Sequence, residues 1–164
     1  MLKQVSWPLW QGKSDGKYSL EFVQKALEVL GNPQRKIPSP IHIVGTNGKG
    51  STCAFIESVL KVAGFKSHVY TSPNLVYLNE RIKIAGSQIA DITMLSGLEF
   101  IRSKLQEAGL DDKISFFEGL TILAFLEFAK TPADFSLIEA GLGGRLDATN
   151  VIDSKICVLT SCSY

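Results

Sequence analysis

Short apolar runs alternate with longer amphipathic stretches along the chain, and the spacing of their apolar positions predicts the secondary structure. Apolar residues three and four apart share one face of a helix, whereas alternate residues share one face of a strand. Helices are therefore predicted at residues 19–30, 49–63, 91–108 and 116–130. Strands are predicted at residues 41–44, 66–71, 81–85, 135–138 and 155–160.

Polar residues and glycines mark the ends of the predicted helices. Ser19 and Asp91 are candidate N-caps, because a short side-chain oxygen accepts hydrogen bonds from the first turn of a helix. Gly64 and Gly109 follow two of the predicted helix ends, where glycine is the usual stop. The stretch at 116–130 is apolar almost all round, so we expect this helix to be buried on both sides.

Strands that alternate with helices predict a three-layer α/β domain with a mostly parallel sheet covered on both faces. Residues 1–18 show no clear period and are predicted to form an irregular arm. In folds of this class the carboxyl ends of the strands carry the functional site. The residues that follow each predicted strand are therefore the first candidates for chemistry.

Composition narrows the function classes. The chain has 164 residues, 45% hydrophobic, and a formal net charge of +1, which suits one globular domain without bulk attraction to nucleic acid or to a membrane surface. Its three cysteines match neither a zinc ribbon nor a CxxC pair, which indicates reduced thiols in a cytoplasmic protein. The sequence shows neither a secretory signal nor an apolar run long enough to span a membrane.

A glycine-rich segment lies between the first predicted strand and the second predicted helix, where backbone N–H groups and a helix N-terminus together bind phosphate. The segment differs from the usual P-loop, because Ile43 and Gly50 stand where glycine and a hydroxyl residue are expected. It predicts a variant phosphate loop; a glycine turn with a solvated lysine is the alternative. The candidate residues are Gly45, Thr46, Asn47, Gly48, Lys49, Gly50, Ser51 and Thr52.

Two other strand ends carry candidate ligands. Glu139 ends an apolar run, where a carboxylate is suited to Mg²⁺; a capped or paired carboxylate is the alternative. Ser72 follows another strand and is a candidate to contact a ligand through its hydroxyl. The alternative is that it only begins an ordinary Ser-Pro turn. The segment 141–146 is not a dinucleotide fingerprint, since Leu146 stands where a small residue is needed. We therefore expect a tight turn there.

Three further residues with reactive side chains are assigned structural roles. His42 and His68 lie within predicted strands without partners at metal-ligand spacing, so they are interpreted as core or surface histidines. Cys53 lies within the second predicted helix and is interpreted as a small core residue.

Four motifs follow one another along the chain, at Gly45–Ser51, Thr71–Leu75 with Asn79–Ile82, Phe117–Glu118 with Thr121, and Glu139–Asn150. Together they resemble the motifs of the folylpolyglutamate synthase/dihydrofolate synthase family in the Mur-ligase superfamily. The resemblance implies the front part of that family's ATP-binding domain, with a P-loop NTPase-like fold. It covers residues 18–164, and the rest of the arm is weakly matched.

The resemblance also implies a reaction and a set of residues. ATP phosphorylates a carboxylate of a folate or of dihydropteroate, and the amine of L-glutamate then displaces phosphate to form an amide. The 45–52 segment would bind ATP, with Lys49 as the catalytic residue, and Ser51, Ser72 and Glu139 would serve Mg²⁺. The implied substrate residues are Tyr18, Ser19, Leu20, Pro73, Arg81, Ser115, Phe116, Phe117, Glu118, Leu146, Asp147 and Ala148.

The chain departs from the family pattern in two respects. Asn74 stands where the family usually has histidine. The family is longer and carries a histidine metal ligand, a carbamate lysine and a carboxy-terminal domain beyond the matched segment, so we expect residues 1–164 to form one incomplete domain that is inactive alone. The complete enzyme is expected to be a monomer. The alternatives are a phosphate- or nucleotide-binding module without catalysis and, less favoured, a small-molecule kinase.

Overall fold

The structure is a computed structural model that describes residues 19–163. The predicted arm at 1–18, with the candidate substrate residue Tyr18, lies outside the described residues. The described chain forms the α-helices α1 (Glu21–Val29), α2 (Lys49–Val62), α3 (Asp91–Glu107) and α4 (Phe116–Lys130). Its strands are β1 (Pro40–Val44), β2 (Ser67–Tyr70), β3 (Ile82–Ile84), β4 (Ser87–Gln88), β5 (Phe135–Glu139) and β6 (Ile156–Leu159).

All of these strands join one sheet in the order β4-β3-β2-β5-β1-β6. The pairs β2–β5, β5–β1 and β1–β6 are parallel, whereas β2–β3 and β3–β4 are antiparallel. The predicted mostly parallel sheet is therefore confirmed. In the register Ile43 lies opposite Glu139 and Val44 lies opposite Leu159, so the carboxyl ends of β1, β5 and β6 meet at one edge.

Two separate apolar clusters lie on the two faces of the sheet. Leu137 belongs to the cluster beneath α2, whereas its neighbour Ile138 belongs to the larger cluster formed with α1, α3 and α4. Successive residues of a strand point to opposite faces, so this division follows directly from the alternation along β5. The three-layer arrangement expected from the sequence is confirmed.

Helix α4 is the centre of the larger cluster. All its residues from Gly119 to Phe128 are buried, as expected for a helix that is apolar almost all round. It contacts β2 and β3 on one side and α1 and α3 on the other. A Cβ added to Gly97 of α3 would lie only 2.4 Å from Cδ1 of Leu123, which shows how closely α3 and α4 approach.

Both predicted N-caps differ from the observed helix starts. Asp91 is the first residue of α3 and Ala90 is its N-cap, so the prediction that Asp91 caps this helix was wrong. An acidic residue in the first turn still favours the helix through its dipole. The Oγ of Ser19 accepts a 3.1 Å hydrogen bond from the N–H of Glu21, although Leu20 is the N-cap of α1.

Strand β4 was not predicted, because two residues are too few to produce a period. Across residues 19–163, no helix has the length and apolarity that crossing a bilayer requires.

Candidate functional site

Three loops lie at the carboxyl edge of the sheet, where the sequence predicts the site. Residues 45–48 follow β1, residues 71–81 follow β2, and residues 140–150 follow β5. Because β2, β5 and β1 are parallel neighbours, these loops leave the sheet side by side. Segments that are far apart in sequence are thereby brought to one surface.

Two glycines shape the loop after β1. Gly45 has φ +137° and Gly48 has φ +83°, and both values lie in the region that favours glycine. A Cβ on Gly45 would lie 2.1 Å from Oγ1 of Thr160, so there is no space for a larger residue. Gly48 is the N-cap of α2, and the N–H groups that start a helix have no acceptor within it. The loop therefore offers donors at a helix N-terminus, as phosphate binding requires.

The side chain of Lys49 lies back over this loop. Its Nζ donates hydrogen bonds to the carbonyl oxygens of Gly45, at 2.9 Å, and Thr46, at 3.2 Å. The Thr52 hydroxyl already has an acceptor at the start of the helix, because it donates a 2.8 Å hydrogen bond to the carbonyl of Gly48. Ser51 is exposed on the first turn of α2. The ammonium group and the Ser51 hydroxyl thus lie on the same turn.

Residues after β6 hold the loop in place, and sequence reasoning missed them. The N–H of Thr46 donates to the carbonyl of Ser161 at 2.8 Å, and the Ser161 hydroxyl donates to the carbonyl of Asn47 at 3.3 Å. The N–H of Ser163 donates to Oγ1 of Thr46 at 3.2 Å. No local pattern could reveal these contacts, because they depend on β6 lying next to β1 in the sheet.

Glu139 lies at the centre of the edge. Its side chain is 4% exposed, and its Oε2 accepts a 3.0 Å hydrogen bond from the N–H of Ser72. A Cβ on Gly50 would lie 3.7 Å from both carboxylate oxygens, which places the carboxylate against the first turn of α2. Burial raises the pKa of Glu139, whereas the Ser72 N–H and the charge of Lys49 act in the opposite direction.

These donors suit a hard divalent cation. No lysine or arginine among residues 19–163 forms an ion pair with Glu139, so the charge of the carboxylate remains available. The hydroxyls of Ser51 and Ser72 are neutral oxygen donors, and Mg²⁺ keeps several waters or phosphate oxygens beside one or two protein ligands. Within the described residues no cluster of three His, Cys, Asp or Glu side chains could hold a metal by itself. The set therefore fits a cation that is shared with a phosphate ligand.

The loop after β2 is ordered by Glu80. Its carboxylate accepts hydrogen bonds from the N–H groups of Leu75, Val76 and Tyr77, at 2.7, 3.1 and 2.8 Å. These hydrogen bonds lower the pKa of Glu80, and the bond from the Tyr77 N–H has the largest effect. Asn74 accepts a 2.7 Å hydrogen bond from Nε of Arg81, so the residue that departs from the family pattern has a partner within the loop.

Apolar side chains project from this loop. Leu75, Val76 and Tyr77 are 92%, 70% and 58% exposed, and the neighbouring Pro73 is exposed as well. The loop thus combines a backbone that is fixed by a carboxylate with an apolar outer surface. Such a surface suits an aromatic ligand.

Two of the predicted substrate residues, Phe117 and Asp147, meet at Gly141. A Cβ on Gly141 would lie 2.6 Å from Cζ of Phe117 and 3.1 Å from Oδ2 of Asp147. The same Oδ2 accepts a 2.9 Å hydrogen bond from the N–H of Leu142. The turn predicted for this segment is therefore closed by Asp147 and packed against an aromatic ring.

The other predicted substrate residues have varied surroundings. Ser115 and Glu118 form a capping box at the start of α4, in which the Ser115 N–H donates to Glu118 at 2.7 Å. Leu146 is 51% exposed, whereas Ala148 is buried. Ser19 and Leu20 lie at the start of α1, and Phe116 is the first residue of α4 and is partly buried.

A buried polar chain beneath the 140–150 segment was not predicted. Nε2 of His42 lies 2.8 Å from Oγ1 of Thr149, and Thr149 contacts the carboxylate of Asp147 through its hydroxyl and its N–H. His42 was expected in the core or on the surface, and it is buried. The spacing of Asp147 and Thr149 is typical of a local turn closed by aspartate, and this is the signal that could have revealed Thr149.

His68 and Cys53 are also buried, as interpreted from the sequence. The His68 ring stacks on Phe128 at 4.5 Å between ring centroids. Burial raises the pKa of the Cys53 thiol to about 12, and the nearby carboxylate of Glu139 adds to the effect.

The site and the fold together define a phosphate-binding α/β domain of the P-loop type. Its glycine-rich loop lies between a parallel strand and a helix, a lysine begins that helix, and a buried carboxylate lies on a neighbouring strand.

No protein-family model matches the chain. Curated relatives do match it. The dihydrofolate synthase/folylpolyglutamate synthase of Bacillus subtilis is 36% identical over 162 residues, which is 97% of this chain and 37% of that protein. The folylpolyglutamate synthase of Lacticaseibacillus casei is 39% identical over 137 residues, or 82% of this chain and 32% of that protein.

Solved structures agree. Escherichia coli FolC in complex with DHPP and ADP superimposes with a TM-score of 0.84 at 34% identity, over 97% of this chain and 37% of that chain. A bifunctional folylpolyglutamate synthase/dihydrofolate synthase with Mn, AMPPNP and L-glutamate bound gives a TM-score of 0.82 at 33% identity, over 90% of this chain and 35% of that chain.

The predicted resemblance is confirmed: the chain is homologous to the folylpolyglutamate synthase/dihydrofolate synthase family over the part of those proteins that it spans. It spans about a third of the length of these relatives, with 37% for the Bacillus subtilis protein and 32% for the Lacticaseibacillus casei protein. Its mostly parallel sheet with helices on both faces is the fold of these structural neighbours.

Proposed function

We propose that this chain is the nucleotide- and metal-binding part of an ATP-dependent ligase that adds L-glutamate to folates, to dihydropteroate, or to both. The observation that carries the proposal is the position of Glu139. Its buried carboxylate lies against the first turn of the helix that starts with Lys49. A phosphate loop and a metal ligand thereby share one side of the sheet, as phosphoryl transfer requires.

In this proposal the 45–52 segment binds the phosphates of ATP. The N–H groups of the loop and of the first turn of α2 point at the phosphate oxygens, and Lys49 leaves its carbonyl partners to reach the outer phosphates. Glu139, Ser51 and Ser72 would hold Mg²⁺, which supplies positive charge beside the phosphates when it is bound. Related structures described as complexes with ADP, or with Mn and AMPPNP, support this assignment.

The substrate carboxylate would attack the terminal phosphorus of ATP, with release of ADP, to give an acyl phosphate. The amine of glutamate would then displace phosphate and form the amide. The protein contributes position and charge neutralisation, and it needs no covalent intermediate of its own. We place the substrate between the 71–81 loop and the 141–147 turn, because exposed apolar side chains and the Phe117 ring lie there.

Binding of MgADP to the 164-residue chain, measured by isothermal titration calorimetry, tests the nucleotide part of the proposal. Lys49→Ala should weaken the affinity by about tenfold or more, because a charge-assisted hydrogen bond to phosphate is lost. Lys61→Ala is the matched control, since Lys61 lies exposed in the last turn of the same helix. It should bind MgADP as the unchanged chain does. Equal affinities for the two variants would contradict the role of Lys49.

A product assay separates a ligase from a binding module. We propose that residues 1–164 alone form no glutamylated product, because the chain spans only about a third of its relatives. Incubation with ATP, Mg²⁺, L-glutamate and either dihydropteroate or tetrahydrofolate should therefore give no product above a control without protein. Product that disappears in Lys49→Ala would show that this chain is itself a ligase. A phosphorylated product without amide would instead indicate a kinase.

We further propose a cytoplasmic location and a monomeric complete enzyme, without nucleic-acid or membrane partners. The three unpaired cysteines support the location, and the net charge of +1 supports the absence of nucleic-acid and membrane partners.

A further inference from the structure

Three polar side chains form a buried chain beneath the 141–147 turn. His42, Thr149 and Asp147 are 3%, 0% and 7% exposed. Nε2 of His42 lies 2.8 Å from Oγ1 of Thr149, and both the hydroxyl and the N–H of Thr149 contact Oδ1 of Asp147, the N–H at 3.0 Å. His42 lies in β1, the strand that leads directly into the phosphate loop.

The direction of these hydrogen bonds follows from the donors available. A carboxylate only accepts, so the Thr149 hydroxyl donates its proton to Asp147. The Thr149 oxygen must then accept from His42, which places a proton on Nε2 of the imidazole. Burial lowers the pKa of His42, against the charge of Asp147, and so favours the neutral tautomer protonated on Nε2 over the imidazolium. The hydrogen bonds are therefore donated in one direction, from His42 to Thr149 and from Thr149 to the Asp147 carboxylate.

Asp147 connects these hydrogen bonds to the 141–147 turn. While Oδ1 is held by Thr149, Oδ2 accepts the 2.9 Å hydrogen bond from the N–H of Leu142. The carboxylate thus closes a turn whose first residue, Gly141, packs against the Phe117 ring. A rotation of the Asp147 side chain would release Leu142 and alter the surface that Phe117 and the turn present.

We propose that His42 is a positioning residue for the folate or dihydropteroate substrate, acting through Thr149 on the Asp147 carboxylate. This inference rests on the proposed function, because that function places the substrate beside Phe117 and Asp147. Since β1 also carries the phosphate loop, one strand sets both the phosphate side and the substrate side of the site. The Thr149 hydroxyl contacts His42 and Asp147 and not the phosphate loop, so its loss should affect the turn and the substrate while nucleotide binding is retained.

Two pairs of variants of the 164-residue chain test the proposal. Thr149→Val removes the hydroxyl at nearly constant volume and Thr149→Ser retains it; His42→Leu removes the donor and His42→Gln supplies an amide donor in its place. Amide exchange of Leu142 is followed by NMR, and affinities for dihydropteroate and for MgADP are measured separately. In Thr149→Val and His42→Leu, Leu142 exchange should accelerate and dihydropteroate affinity should fall, each by about tenfold, the effect of one lost hydrogen bond.

MgADP affinity should not change in these variants, and Thr149→Ser and His42→Gln should recover most of both effects. Unchanged Leu142 exchange in Thr149→Val and His42→Leu would overturn the proposal. An equal loss of dihydropteroate and MgADP affinity would also overturn it, because that result indicates general destabilisation. If the unchanged chain binds MgADP but not dihydropteroate, the substrate part of the proposed function fails, and Leu142 exchange still decides whether His42 positions the turn.

One further measurement uses the wild-type chain, so its outcome does not depend on whether a variant folds. Long-range ¹⁵N–¹H NMR of the imidazole reports which nitrogen carries the proton. A proton on Nε2 of His42 supports the chain of hydrogen bonds, whereas a proton on Nδ1 alone would overturn it.

Discussion

The carboxylate of Glu139 accepts a 3.0 Å hydrogen bond from the backbone N–H of Ser72, and this bond joins the ends of two neighbouring strands. Only 4% of Glu139 is exposed, and burial raises its pKa. The native chain therefore holds a carboxylate in surroundings that disfavour its charge. Such a group is expected where a cation binds, because the cation restores the favourable electrostatics that burial removes.

Glu139→Gln should separate stability from metal binding. The pKa of Glu139 is higher in the folded chain than its ordinary value of 4.5, so the folded state binds this proton more tightly. The contribution of Glu139 to stability therefore falls as pH rises from 4.5 through the raised pKa. We expect Glu139→Gln to remove this fall and to keep or raise the free energy of unfolding at pH 7.

The same variant should lose the Mg²⁺ dependence of nucleotide binding, because an amide carries no charge for a hard cation. Urea unfolding at pH 5 and pH 7 measures the first effect, and titration with ADP at varied Mg²⁺ measures the second. Glu57→Gln is the control, since Glu57 lies in α2 and pairs with Lys83. A Glu139→Gln variant with an unchanged Mg²⁺ dependence would exclude the metal role.

Gly45→Ala should strongly destabilise the chain. The new Cβ would lie 2.1 Å from Oγ1 of Thr160, and the φ of +137° is itself unfavourable for alanine. Gly64→Ala is the matched control, because Gly64 has φ +86° and nothing lies within 4 Å of its added Cβ. We expect Gly64→Ala to cost about 1 kcal/mol of unfolding free energy from backbone strain alone. Gly45→Ala should cost about 3 kcal/mol or more, since overpacking adds to the strain. Similar losses in urea unfolding would show that Thr160 moves aside.

Local patterns predicted the elements of this fold because its helices and strands are strongly periodic. Helix α4 was predicted with the bounds that the structure shows, since it is apolar on almost all sides. The phosphate loop was predicted from its position between β1 and α2. The short strand β4 and the N-cap Ala90 were missed, because two residues carry no period and alanine carries no capping signal.

Contacts between distant segments could not be predicted in the same way. The sequence places Thr46 and Ser161 more than a hundred positions apart, yet their backbones join at 2.8 Å. This contact depends on β6 lying beside β1, and local sequence patterns do not specify the order of strands in a sheet. His42 illustrates the same limit. It was expected in the core or on the surface and is buried, but no local pattern indicates its partner Thr149, which lies in the loop after β5.

Cys53 should be protected from thiol reagents in the folded chain. Burial raises its pKa to about 12, and its side chain is 1% exposed. Cys157 and Cys162 are exposed and should react at pH 8. Titration with a chromogenic disulfide reagent should therefore modify two thiols in the native chain and the third only after unfolding in urea. Rapid modification of all three would contradict the packing of α2 on the sheet, and mass spectrometry identifies the modified residue.

His68 has a hydrogen-bond arrangement that requires its neutral form. The N–H of Ala85 donates to Nδ1 at 3.0 Å, so the ring proton lies on Nε2, which donates to the carbonyl of Thr131 at 3.0 Å. A second proton on Nδ1 would displace the Ala85 bond. Burial lowers the pKa of His68 from 6.5, and the Thr131 carbonyl opposes this effect.

Stability should therefore fall as pH drops below 6.5. The unfolded chain takes up the proton at its ordinary pKa, whereas the folded chain resists it, so the unfolded state binds more protons in this range. The contribution of His68 is fully present above pH 6.5 and is lost at lower pH. His68→Gln should reduce the slope of unfolding free energy between pH 7 and pH 5. His42→Gln should reduce it separately, since the pKa of His42 is also lowered by burial. These are the two histidines of the sequence, so the double variant shows the slope that carboxyl groups alone produce. An NMR titration in which His68 protonates at or above pH 6.5 would contradict this account.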